Sequence, residues 1–207
     1  MPVTDAPWFA EAVTRLARDL REHHAPTVAH THGTAALARG VAERLGLDPL
    51  EATEVELVAV LHEAAKEAVA PPDGHLNRRQ RAFVRTRSAT AGELLTEAAG
   101  LDQLATAVRA VHERWDGRGH PDGLAGTAIP VAARIVAAVA AWLAITSDRP
   151  HRPAIPDGEA RVKLAIAAGG RFDPQVVEAL LTELRAGAED GPGPAALAGD
   201  EDIPSPL

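Results

Sequence analysis

The stretch Ile129-Pro130-Val131-Ala132-Ala133-Arg134-Ile135-Val136-Ala137-Ala138-Val139-Ala140-Ala141-Trp142-Leu143-Ala144-Ile145, IPVAARIVAAVAAWLAI, is the one long apolar run in the chain. Such a run is either a membrane span or a helix buried at the centre of a bundle. A helix that crosses a bilayer needs about 20 predominantly apolar residues. This run is shorter and carries Arg134. Pro130 suits the first turn of a helix, where its missing N–H costs nothing. The run therefore reads as a buried core helix, around which the rest of the chain must be organised.

Outward from that helix the pattern stays helical. Asp5 and Pro7 open an expected first helix that places Trp8, Phe9, Val13, Leu16 and Leu20 on one side. After Pro26 a second helix is expected to run to Leu45 and stop at Gly46, a residue suited to a left-handed cap. Asp48-Pro49-Leu50-Glu51 has the form of a capping box and opens a helix carrying Leu57, Val58, Leu61 and His62. Shorter helical patterns occupy 77–86, 88–99 and 102–113, the last with Leu104, Val108 and Val111 on a common apolar face. Asp157 and Asp173-Pro174 begin two more, separated by Gly169-Gly170. Residues 114–127 hold Gly117, Gly119, Gly123 and Gly126 and read as irregular backbone able to approach a ligand or partner closely. No strand pattern competes.

Composition agrees with helices. Of 207 residues, 46% are hydrophobic and only 3% aromatic, so alanine and leucine fill much of the core. The 29 acids against 21 bases give a net charge of -8, which argues against a nucleic-acid-binding surface. The one basic run is Arg78, Arg79, Arg81, Arg85 and Arg87. Without cysteine, neither disulfides nor thiolate metal sites can form. The N-terminal residues lack the basic start and apolar run of a signal peptide, so a soluble cytoplasmic protein with no membrane partner is expected. Residues 186–207, AGAEDGPGPAALAGDEDIPSPL, are acidic and rich in proline and glycine, and are expected to form a disordered tail. The expected organisation is an N-terminal helix within 1–24 packing on a single domain at 25–185, followed by that tail.

Four places present a histidine: His30, His62-Glu63, His112-Glu113 and His120. Each alone reads most simply as a packed or exposed side chain. Their order and setting are more specific. His30-Thr31 opens a helix ending Leu45-Gly46-Leu47, and Leu61-His62-Glu63-Ala64-Ala65-Lys66 follows. Then come HERWDGRGHPDGLAG at 112–126, Ile129-Pro130 before Ala133-Arg134-Ile135-Val136, Thr146-Ser147-Asp148-Arg149-Pro150, and Phe172-Asp173-Pro174. This series resembles the HD-GYP family, a branch of the HD superfamily of metal-dependent phosphohydrolases, from His30 to Leu181. The resemblance implies an all-α, HD-domain-like helical bundle of about seven to nine helices. It also implies a centre of two or three metal ions, often iron or manganese, that hydrolyses cyclic di-GMP, paired metals clamping the phosphodiester and acidifying a bound water.

Carried over position by position, the resemblance assigns metal-ligand roles to His30, His62, Glu63 and His112. Glu63 stands where the family writes aspartate and is one methylene longer. The histidine expected near the end of NRRQRAFVRTRS falls on Arg87, a permanent cation with no lone pair to give a metal. The histidine pair before Glu113 is Val111-His112, and the late aspartate falls on Ala140. From Gly123 through Ser147 no aspartate, glutamate or histidine could substitute for it. Lys66 keeps the lysine that the resemblance sets facing substrate phosphate, and the loop tyrosine of the family name is His120.

Three readings follow. In the first, the chain is a degenerate HD-GYP domain without phosphodiesterase activity, kept as a binding or regulatory module for an anionic small molecule or cyclic nucleotide. Arg87, Lys66 and Arg114 then replace lost metal charge, with His120 on the recognition surface. Against that stands the plainer option that Arg87 faces water with its neighbours. In the second, catalysis survives, either with one divalent iron, manganese or zinc ion or by metal-free acid/base chemistry at His62, Glu63 and His112, with Lys66 a further candidate catalytic residue at the substrate phosphate. An intact pair of metals is not expected in either. The third is an interaction element, a homodimer or a module that docks a protein through loop 114–127.

Overall fold

Gly46 and Asp48 make the first corner of the computed structural model, which describes residues 28–67, 102–148 and 153–189. Helix α1, Val28–Arg44, ends where expected. Gly46 takes φ of +77°, and the Leu47 amide reaches back to the Ala42 carbonyl at 3.1 Å, so the last turn is closed by a left-handed glycine. Helix α2, Pro49–Glu67, begins with a reciprocal capping box. The Leu50 and Glu51 amides donate to Asp48 Oδ1 at 2.8 and 2.9 Å, while the Asp48 amide donates to Glu51 Oε2 at 2.9 Å.

Helix α3 covers Asp102–Ala110, three residues shorter than the expected 102–113. The apolar pattern does continue through Val111, but the chain turns there and Glu113 swings inward to a different task. A short 3₁₀ turn, Gly126–Ala128, leads into α4, Val131–Thr146, with Pro130 as its N-cap residue. Helix α5 is Asp157–Ile166 and α6 is Pro174–Glu189. The sixth helix thus continues past Ala186, where the tail was expected to start. Among the described residues there are six α-helices and no strand, only an isolated bridge between Ala168 and Phe172. The helices expected near the N-terminus and at 77–86 and 88–99 lie outside the described residues, as does the chain beyond Glu189.

The apolar run occupies the middle of the bundle. Every other described helix packs on α4, and Ala133, Ile135, Val136, Ala138 and Val139 are fully buried. Burial of a valine- or isoleucine-sized side chain stabilises by about 1.5–3 kcal/mol, so α4 supplies a large share of the driving force. No described helix is long and apolar enough to cross a membrane.

Arg134, the one charge in that run, is compensated on three sides. Its Nη1 pairs with the nearly inaccessible Asp173 Oδ2 at 2.6 Å, its Nε donates to the Ile129 carbonyl at 2.9 Å, and its guanidinium lies 5.9 Å from the Trp115 ring centroid. Asp173 also caps α6 by accepting from the Gln175 amide at 2.9 Å. One buried ion pair therefore joins the core helix to the start of α6 and to the glycine-rich loop.

Candidate functional site

Three histidines converge beside α4. His62 arrives from α2 and is 7% exposed, His112 from the turn after α3, and His120 from the loop. The His62 and His112 rings meet edge-on with centroids 5.3 Å apart, and His112 and His120 lie 5.2 Å apart with planes tilted by 35°. They open onto a cavity of about 360 Å³. Ala137, Ala140, Ala141 and Ala144 of α4 form one wall, at the spacing that puts residues on one helix face. Arg114, Arg118 and Arg171 also line the cavity.

The loop that carries His120 is fastened mostly by backbone. The Trp115 amide donates to the Arg171 carbonyl at 3.2 Å and the Asp116 amide to the Gly170 carbonyl at 2.9 Å, which ties the loop to the turn between α5 and α6. The His120 amide donates to the His112 carbonyl at 3.3 Å. Glu113, 5% exposed, is the internal anchor: its Oε1 accepts from the Asp122 and Gly123 amides at 2.6 and 3.0 Å. Gly119 passes so close that a Cβ there would sit 2.4 Å from the Arg114 nitrogen and the Glu113 Cα, leaving glycine as the residue that fits. Among the described residues, two buried side-chain atoms, Glu113 Oε2 and His120 Nδ1, have no hydrogen-bond partner.

Charge in the loop is partly internal. Arg114 forms a two-point pair with Asp116 at 2.9 and 2.6 Å, and chiefly this hydrogen bonding pulls the Asp116 carboxyl from its usual 3.8 down to about 2. The same pair raises Arg114 above the ordinary arginine value. Asp122 is likewise held low by Arg109, paired at 2.7 Å.

Of the residues expected at a site, the structure brings His62, His112, His120 and Arg114 to one cavity. The side chains of His30, Glu63 and Lys66, and all of Arg87, lie outside the described residues. Ala140, the position to which the resemblance assigns the late aspartate, sits in the cavity wall. The remaining acid in that lining, Glu113, has one oxygen committed to two backbone amides. No group of three or more histidine, aspartate or glutamate side chains among the described residues is arranged to hold a metal ion. Among the described side chains, His62, His112, His120 and Glu113 by themselves do not make up a metal-ligand set.

Arg118, Arg171 and the anchoring role of Glu113 were not foreseen. Glu113 meets amides nine and ten residues further along, and Arg171 reaches the cavity from a turn more than fifty positions away. Neither relation leaves a local signal. The position of Arg118, inside a loop of four glycines, did carry one.

A family model described as HD domain matches residues 11–176. The cyclic di-GMP phosphodiesterase response regulator RpfG of Xanthomonas campestris is 36% identical over 179 residues, covering 83% of this chain and 47% of the regulator. The 3'3'-cGAMP-specific phosphodiesterase 2 of Vibrio cholerae is 30% identical over 179 residues, covering 83% of this chain and 34% of that protein. The chain thus spans less than half the length of both. Among solved structures, an HDG"Y"P protein from Bdellovibrio bacteriovorus superposes with a TM-score of 0.61 at 21% identity, over 75% of this chain and 51% of the other, which supports the fold. With the family model matched over residues 11–176 and a relative 36% identical over 179 residues, this chain belongs to the HD domain family, as a domain of the HD-GYP type.

Proposed function

We propose that this domain has lost the metal-pair phosphodiesterase chemistry of its relatives and serves as a binding or regulatory module for an anionic, nucleotide-class ligand. The observation that carries the reading is Ala140 in the cavity wall, set among three further alanines at the position where the resemblance expects an aspartate ligand. The cavity lining supports the ligand class: three arginines and three histidines against one acid that is already hydrogen-bonded. The names of the relatives support it too, since they act on cyclic dinucleotides.

Metal analysis of the chain purified without chelator tests the loss directly. Fewer than two equivalents of iron, manganese or zinc are expected per chain, with no hydrolysis of cyclic di-GMP when those metals are added. Two tightly held equivalents would overturn the reading.

The meeting of His62 and His112 favours a second reading, an enzyme whose pocket is repurposed, either as a single-metal phosphohydrolase or for metal-free acid/base chemistry using His62, Glu63 and His112. Its signature is phosphodiester hydrolysis that disappears in His62→Ala.

A further inference from the structure

The cavity has cations to spare, and they are not the ones its ancestry would suggest. Arg114 spends its guanidinium on Asp116 in a two-point pair. Arg118 and Arg171 line the same cavity and form no ion pair with any described residue. Arg118 contacts Asp116 only through its backbone amide, at 3.1 Å, and by charge through space. Arg171 lies over the Phe172 ring at 5.2 Å, which orients its guanidinium without neutralising it. In a chain of net charge -8, two uncommitted arginines at one opening concentrate positive potential there.

Their placement is fixed by backbone. The bonds from the Trp115 and Asp116 amides to the Arg171 and Gly170 carbonyls hold the two segments side by side. The α4 part of the lining is apolar, formed by Ala137, Ala140, Ala141 and Ala144. The volume of about 360 Å³ falls at the lower end of the roughly 300–1,000 Å³ of small-molecule sites. Two arginines, an alanine wall and that volume suit one phosphate ester bearing one organic group.

Resting on the binding-module reading above, we propose that Arg118 and Arg171 form a phosphate clamp at the mouth of this cavity. The ligand it takes is of mononucleotide size, with its phosphate at the two guanidinium groups and its base toward the Ala140 wall. Guanidinium forks suit phosphate, and a hydrogen bond to a charged group contributes about 1.5–3 kcal/mol, roughly ten- to a hundredfold in affinity.

Calorimetric titration with 5'-GMP, guanosine and cyclic di-GMP tests the assignment on the full chain. The parent should bind 5'-GMP at least about tenfold more tightly than guanosine, and the double variant Arg118→Ala/Arg171→Ala should bring 5'-GMP down to the guanosine level. The double lysine variant should retain part of the difference, since charge survives and the fork does not. Arg185→Ala, an exposed arginine on α6 outside the cavity, should leave binding unchanged, and coincident melting curves should show every variant folded. Equal binding of 5'-GMP and guanosine overturns the clamp, as does a double variant that keeps parental affinity. A parent that binds cyclic di-GMP but not 5'-GMP overturns the clamp and leaves the binding-module reading standing. A parent that binds none of the three overturns both.

Discussion

Asp116 shows how little of an acid's role its identity reveals. Beside a histidine and a glycine turn it looks like chemistry, yet its carboxylate faces Arg114 and the Arg118 amide within its own loop. Because its folded pKa lies below the ordinary value, the pairing contributes fully above about pH 3.8 and is lost as pH falls toward about 2. A carbon-detected NMR titration should therefore place the Asp116 carboxyl midpoint near 2, and Arg114→Ala should return it toward 3.8. A midpoint unmoved by that substitution would show the pair to be idle in solution. Glu113 follows the same lesson: the sequence marks it as an acid next to a histidine, while the structure uses it to hold the loop's return.

Among the elements, local chemistry announced boundaries where it is self-contained. The Asp48–Glu51 box and the Gly46 stop were legible because every partner lies within a few residues. The end of α3 was not, since its apolar pattern persists past the point where Glu113 is drawn away. The contact of Arg134 with Asp173 links residues 39 apart and could not be read locally. Removing one partner of a buried pair leaves the other uncompensated, at a cost of about 3–5 kcal/mol. Asp173→Ala should lower stability by that order in urea denaturation, more than loss of an ordinary helix cap, which costs about 1 kcal/mol. A loss no greater than a cap's would mean that Arg134 finds water instead.

At the scale of the molecule, the described helices share one continuous core centred on α4, the element singled out by its apolar composition alone. The class of fold was therefore legible from periodicity, and the convergence of His62, His112 and His120 from the order of motifs. The gathering of Arg118 and Arg171 at one cavity was not, because it joins two turns that are distant in the chain. A shared core predicts joint unfolding. Tryptophan fluorescence, which includes Trp115 in the loop and Trp142 in α4, should change at the same midpoint as helical circular dichroism. Fluorescence that changes first would make the loop a separate unit.

The ties between the loop and residues 170–171 are made by peptide groups, which every residue but proline can supply on both sides. Side chains at positions 118 and 120 can thus be exchanged without releasing the frame that presents them. Such a mount lets recognition change one residue at a time while the fold is held constant. His120, set where the resemblance expects a tyrosine, would then be a change of instrument on an unchanged stand.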